Sequence, residues 1–261
     1  MSNPAIRLLS ILLIMFSLGN TSAEDAYDMK EIIEEINKDD RTDFYSWFYE
    51  GLKCDVEKPS PEALKRALTG FFNLKSNNSV KTNLLTIIDF SLSSNMERMW
   101  IVDMNNKQVI HSSLVAHGRN SGQEFAEKFS NISGSYQSSL GFYITDAVYQ
   151  GKHGMSLRLD GAEPGINDNA RQRAVVMHSA DYVSNDFIRK NGRLGRSYGC
   201  PSIPLENHEE IITLLSGGSC LYIHFPCVNY EANSVLLQDD SALPGIQLFL
   251  SDPLLTFSFP N

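Results

Sequence analysis

The sequence predicts an α+β fold: a mostly antiparallel β domain carrying a few helices, preceded by a small helical region. Three observations lead there. Before Val80 apolar residues recur at helical spacing, after it short β-rich runs are bounded by Gly, Ser and Asn, and two capped helix patterns interrupt those runs.

The elements follow in chain order. Arg7 is the only charged side chain ahead of the apolar run Leu8–Leu18, and Thr21-Ser22-Ala23 then precedes acidic Glu24 and Asp25. This order predicts a secretory signal peptide over residues 1–23, cleaved after Ala23, because the run is short for a membrane span. No other stretch is apolar enough to span, so none is expected after cleavage. Residues 24–80 form the helical region. Met29, Ile32, Ile33 and Ile36 share one spacing, Phe44, Trp47, Phe48 and Leu52 a second, and Leu64, Leu68, Phe71 and Phe72 a third after the break at Pro59-Ser60-Pro61.

The β domain is expected over residues 81–228. Leu84–Leu92 is an apolar run, and Met99–Met104, Asn105-Asn106-Lys107 and Gln108–Leu114 read as a hairpin. Further strand candidates are Gly141–Tyr149, Ser156–Leu159, Ala174–His178 and Cys220–Phe225. One helix is predicted over Asn185–Asn191, capped by Ser184 and stopped by Gly192. A second is predicted from Pro204, with Glu206, Glu209 and Glu210 in its first turns and Gly217-Gly218 at its end. Residues 229–261 are apolar enough to fold and are expected to pack on the domain as a C-terminal tail.

Charge and cysteines narrow the chemistry. The 261-residue chain has a net charge of −9, which argues against a nucleic-acid partner, since phosphate binding relies on clustered Lys and Arg. Cys54, Cys200, Cys220 and Cys227 allow three disulfide pairings, and a free catalytic thiol would leave one cysteine over. His117, His153 and His224 lack metal-ligand spacing, so no metal or other cofactor is expected. His153 lies between Gly151 and Gly154 in a loop that is expected to line a cleft, whereas His224 reads as a core residue and His208 as an exposed one.

The densest cluster runs from Val175 to Pro201. A strand delivers His178 and Ser179, and a glycine-flanked loop, Gly195-Arg196-Ser197-Tyr198-Gly199-Cys200-Pro201, delivers a thiol ahead of a predicted helix. A thiolate is the reactive form, and a helix N-terminus, a cation or a nearby His lowers its pKa. Arg196 and the helix opening near Leu205 are the expected helpers, and Gly199 leaves room for an incoming carbonyl. Backbone N–H groups of Gly199 and Cys200 could stabilise an oxyanion. Arg171, Arg173, Arg193 and Arg196 form a basic set suited to carboxylates. A lone Cys is more often core or half a disulfide, so spacing alone leaves catalysis the weaker reading.

The stretch resembles the L,D-transpeptidase (YkuD-like) family, and more closely its murein L,D-transpeptidase catalytic domain branch. His178-Ser179 and Ser197-Tyr198-Gly199-Cys200 carry the resemblance. Supporting stretches are Leu114-Val115-Ala116-His117-Gly118, Phe129-Ser130-Asn131, Ser138–Tyr143, Gly151-Lys152-His153-Gly154, Asn167-Asp168-Asn169-Ala170-Arg171 and Gly192–Ser197. Tyr198 stands where the family pattern has a His, and the spacer from His178 to Ser197 is slightly longer. The resemblance implies an exported envelope enzyme acting on peptidoglycan stem peptides, with Cys200 as nucleophile, His178 as base, and Ser179 and Gly199 in the site. Arg196, Ser197, Tyr198, His153 and Arg171 are expected to bind substrate. The acyl acceptor would be a second stem peptide or an envelope protein, and an L,D-carboxypeptidase using water, or a non-catalytic peptidoglycan-binding module, are the alternatives. Residues 24–80 carry none of these motifs and are expected to be dispensable for the thiol chemistry.

Overall fold

The computed structural model describes residues 44–152 and 154–250. The signal-peptide expectation and His153 fall outside them. Among the described residues no helix is long and apolar enough to cross a membrane.

Helical residues 44–50 (α1) are followed by α2 (Pro61–Ser76), which starts where Ser60 accepts a hydrogen bond from the Ala63 N–H and Pro61 occupies the first turn. The strands are β1 (Leu84–Asp89), β2 (Met99–Asp103), β3 (Gln108–Ser113), β4 (Gly141–Gly151), β5 (Gly154–Gly161), β6 (Val176–Ser179), β7 (Ser202–Ile203) and β8 (Cys220–His224). Helices α3 (Asn185–Asn191), α4 (His208–Leu215), α5 (Val228–Asn233) and α6 (Asp239–Leu250) complete the regular elements, with a 3₁₀ turn at Val235–Leu237.

One sheet of eight strands runs in the order β3-β2-β1-β8-β4-β5-β6-β7. The β1–β8 and β6–β7 pairs are parallel and the rest antiparallel, as an α+β sequence pattern requires. Strand β1 is buried along nearly its whole length, which is why it reads as an unbroken apolar run rather than an alternation.

The helical region is not a separate layer. Phe71, Phe72 and Leu68 of α2 lie in the same buried cluster as Ile87, Phe90, Phe142, Tyr143 and Tyr222 of the sheet. A Cβ added at Gly70 would sit 2.0 Å from the Phe142 ring, so α2 approaches the sheet as closely as a glycine allows. Cutting the chain at Val80 would therefore open the core that α2 shares with the sheet. The C-terminal segment closes over the same helix, with Phe249 against Phe72 at 5.4 Å between ring centres. Glu163 fastens that segment to the sheet: its buried carboxylate accepts from the Phe142 N–H at 2.8 Å, from the Tyr230 hydroxyl at 3.1 Å and from the Ser234 hydroxyl.

Helix α3 begins and ends where predicted, with Ser184 accepting from the Phe187 N–H and Gly192 in the left-handed region at φ 76°. The second predicted helix starts later. Ser202 and Ile203 are taken into the sheet as β7, Asn207 adopts a left-handed conformation at φ 55°, and α4 runs only from His208. No helix N-terminus follows Cys200 directly.

Candidate active site at the β6–β7 edge

The site lies on the last strand pair of the sheet. In the parallel β6–β7 register His178 faces Ser202. Stepping back two residues on each strand reaches Val176 and Cys200, and the Val176 N–H points at the Cys200 sulfur from 3.5 Å. His178 and Ser202 therefore meet across the strand pair, and Cys200 stands two residues before Ser202, with its sulfur at the backbone edge of β6.

His178 is buried, and its tautomer is set by its neighbours. Nδ1 lies 2.9 Å from the Ser179 carbonyl, which can only accept, so Nδ1 carries the proton. Nε2 is then the lone-pair nitrogen. The Ser202 hydroxyl donates to it at 3.0 Å and lies 3.1 Å from the Tyr182 hydroxyl. Ser202 was missed in the sequence. Only its place two residues after Cys200 hints at a shared face, and a two-residue strand leaves no periodicity to read.

The loop before Cys200 is held from inside. Ser197 accepts from the Gly199 N–H at 3.0 Å and donates to the Cys200 carbonyl at 2.6 Å. The Ser197 N–H donates to the His117 carbonyl, and the Arg119 N–H to the Ser197 carbonyl. Gly199 sits at φ 126°, and a Cβ there would stand 2.7 Å from the Gln137 carbonyl oxygen, so only glycine fits. Because the Gly199 N–H is already bonded to Ser197, it is not free for an oxyanion in this arrangement. Tyr198 projects outward, 61% exposed.

Burial pushes the Cys200 thiol above its ordinary pKa, and the Val176 N–H, Arg173 and Lys152 pull it back. The sulfur also points at the Ala174 carbonyl, 3.7 Å away, and Ala174 holds a left-handed φ of 54°, a costly conformation for a residue with a side chain. The charges that act on the thiol are those of Arg173 and Lys152. Arg173 donates to the Ser130 carbonyl at 2.8 Å, the Ser139 hydroxyl at 2.5 Å and the Gln137 carbonyl at 2.6 Å, so it also ties down the loop under Gly199. Arg196 instead donates to the carbonyls of Arg119 at 3.0 Å and Gly122 at 2.8 Å. Linear nearness to the cysteine pointed to the wrong arginine, because strand pairing brings the turn before β6 closer.

Other candidates separate from the site. Arg171 is neutralised by Asp160 and Asp146 at 2.5 and 2.6 Å and joins no group around the sulfur. His117 is buried, and its Nδ1 accepts from Arg98 at 2.8 Å. Burial first, then the Arg98 charge, push its imidazole down to about 3, so it stays neutral. His224 is a buried strand residue beside the Tyr222 hydroxyl at 3.3 Å. All four cysteines are free thiols, with Cys220 wholly buried. Among the described residues no group of three His, Cys, Asp or Glu side chains has metal-binding geometry.

The β6–β7 edge thus carries a cysteine met by the Val176 N–H and a buried histidine bonded to Ser179 and Ser202. The chain belongs to the L,D-transpeptidase catalytic domain family, whose sequence model matches residues 56–224. Solved structures similar to it include an L,D-transpeptidase from Mycobacterium smegmatis, at 12% identity over 55% of this chain and 59% of that one, with a TM-score of 0.35. A variant of the helical cell shape determining protein Pgp2 from Campylobacter jejuni matches at 10% identity over 70% and 63%, TM-score 0.37. An L,D-transpeptidase from Stackebrandtia nassauensis matches at 8% identity over 71% and 90%, TM-score 0.33. The chain spans 59% of the length of the mycobacterial structure. No curated protein matches it.

Proposed function

We propose that this chain is a cysteine-dependent acyltransferase of the cell envelope, exported by its N-terminal signal and acting on peptidoglycan stem peptides. The observation that carries the reading is the β6–β7 register, which sets the His178 imidazole against Ser202 two residues beyond Cys200, while the Val176 N–H on the same strand as His178 meets the sulfur. Nε2 takes the thiol proton as the sulfur attacks the carbonyl carbon of an L-centre residue, such as meso-diaminopimelate, bonded to a terminal D-amino acid. The C–N bond breaks, the imidazolium returns the proton to the leaving amine, and a thioester remains on Cys200. An amine of a second stem peptide or of an envelope protein then attacks the thioester and frees the thiol.

Ser179 contributes its backbone carbonyl, which orients the imidazole. Ser197 and Gly199 shape the loop, and Tyr198 and Arg196 border the approach to it. The proposed catalytic unit includes α2, since the match begins at residue 56. The test is incubation of the mature protein with a stem tetrapeptide and an amine acceptor. Release of the terminal D-amino acid, with a thioester mass on Cys200 and a cross-linked product, supports the reading. Hydrolysis without amide formation would instead make it an L,D-carboxypeptidase, and no release at all would reject both.

A further inference from the structure

A second feature stands beside the nucleophile loop. The guanidinium carbon of Arg119 lies 5.3 Å from the ring centre of Tyr136 and 5.4 Å from that of Tyr198. The two rings lie 4.8 Å apart and tilt by 48°. Both are well exposed, Tyr136 at 42% and Tyr198 at 61%. Tyr136 holds a left-handed φ of 55°, a strained backbone for a bulky residue. Tyr198 is two residues from Cys200 in sequence, and the Arg119 N–H is bonded to the Ser197 carbonyl at 2.7 Å. The assembly is therefore anchored on the loop that carries the thiol.

A cation–π contact is made to the ring's electron-rich face and does not consume the guanidinium's N–H donors. Among the described residues the Arg119 donors meet no acceptor, and Arg119, Arg193 and Arg196 meet no carboxylate within ion-pair distance. Arg193 donates only to the Leu194 carbonyl at 2.6 Å. Arg196 donates to the Arg119 carbonyl at 3.0 Å, and burial, then the charges of Arg193 and Arg119, lower its pKa. Uncompensated arginines side by side run against a net charge of −9. Arg171, by contrast, has two aspartates.

We propose that Arg119, seated on Tyr136 and Tyr198, is a receptor for a carboxylate of the acyl-donor peptide, with Arg193 and Arg196 supplying a positive field around it. A planar fork of donors matches a carboxylate bidentately. Two sources offer that chemistry. One is the C-terminal carboxylate of the leaving D-amino acid, a single residue beyond the carbonyl attacked. The other is a carboxylate on an internal acidic residue of the stem. The peptide's identity rests on the function proposed above; the need for an anion rests on the arginines.

The test separates the two. Binding of a stem tetrapeptide to the full-length mature Cys200→Ala protein is measured by calorimetry, so that no turnover intervenes. One arm uses the peptide with its C-terminus amidated, a second the peptide with its internal carboxylates amidated. One amide should bind about tenfold to a hundredfold more weakly than the parent, and which one does so identifies the carboxylate. Arg119→Gln in the same background should bind all three peptides equally weakly. Arg119→Lys keeps the charge but loses the fork, and should retain part of the discrimination even if Arg119→Gln folds poorly. Equal binding of parent and both amides, unchanged discrimination in Arg119→Gln, or no binding of any peptide would overturn the proposal. Discrimination with no turnover by wild type would sink the acyltransferase reading alone, and turnover without discrimination would sink this one alone.

Discussion

Two cysteines in this fold are pushed away from ionisation by the same cause and differ in everything else. Cys220 lies in β8, flanked by β1 and β4, wholly buried, and its neighbouring charge, Glu163, adds to burial in raising its pKa. Cys200 lies at the sheet edge, where the Val176 N–H, Arg173 and Lys152 oppose burial. The sheet thus holds one thiol as a core atom and one at its edge, the one proposed above as the nucleophile. The difference is made by what faces each sulfur, since the residue type is shared. A cysteine count could not make that distinction.

The largest test of the comparison exchanges the two roles. Cys200→Ser and His178→Ala should each lower acyl transfer by a factor on the order of 10³ or more, because the hydroxyl is far less acidic and because proton transfer in both directions is lost. Cys220→Ala should leave the transfer rate near wild type and lower stability by about 1 kcal/mol, read by denaturant titration. An acyl adduct that maps to Cys220 would end the comparison.

Next comes Arg173. Its charge favours the thiolate, so Arg173→Met should move the rise of the acylation rate to higher pH. The sign follows from the raised thiol: below its pKa the sulfur is protonated and slow, and removing a cation extends that range upward. At neutral pH the rate should fall roughly tenfold, with Arg173→Lys recovering part of it. Equal changes at all pH values would show that Arg173 acts only through the loop it ties. Arg196→Met serves as the contrast and should leave the pH profile in place.

Ser202→Ala should have a smaller effect. It leaves His178 Nε2 and the Tyr182 hydroxyl without their shared partner, which should lower stability by about 1 kcal/mol. The transfer rate should change only a few-fold in kcat, because the His178 tautomer is set by Ser179. Smallest of all, Tyr198→His keeps an aromatic face outside the core and should change KM by less than about threefold. A collapse of kcat in that variant would move Tyr198 into the chemical step.

Much of the fold was legible because its strands are long enough to show themselves. The hairpin β2–β3, the runs that became β4, β5 and β8, and the capped helix α3 all carry local signals that agree with their tertiary setting. The start of α4 was misread because Pro204 and Glu206 imitate a helix opening, while pairing with β6 claims Ser202 and Ile203 for the sheet. Cys200 and His178 could be placed together from the motif they share. Arg173 and Ser202 could not be ranked, since their nearness to the sulfur and the imidazole exists only once β5, β6 and β7 have paired. The C-terminal helix α6 was hidden for a related reason: Pro244 within it breaks the pattern, and its role lies in covering α2.

The Glu163 carboxylate gives that last point a practical edge. The family match stops at residue 224, but Tyr230 and Ser234, which hold Glu163, lie beyond it. A chain trimmed to the shared segment would bury a carboxylate with two of its three donors gone, at the turn that supports β4. The portion of sequence a family has in common and the portion a molecule needs in order to stand are here two different lengths.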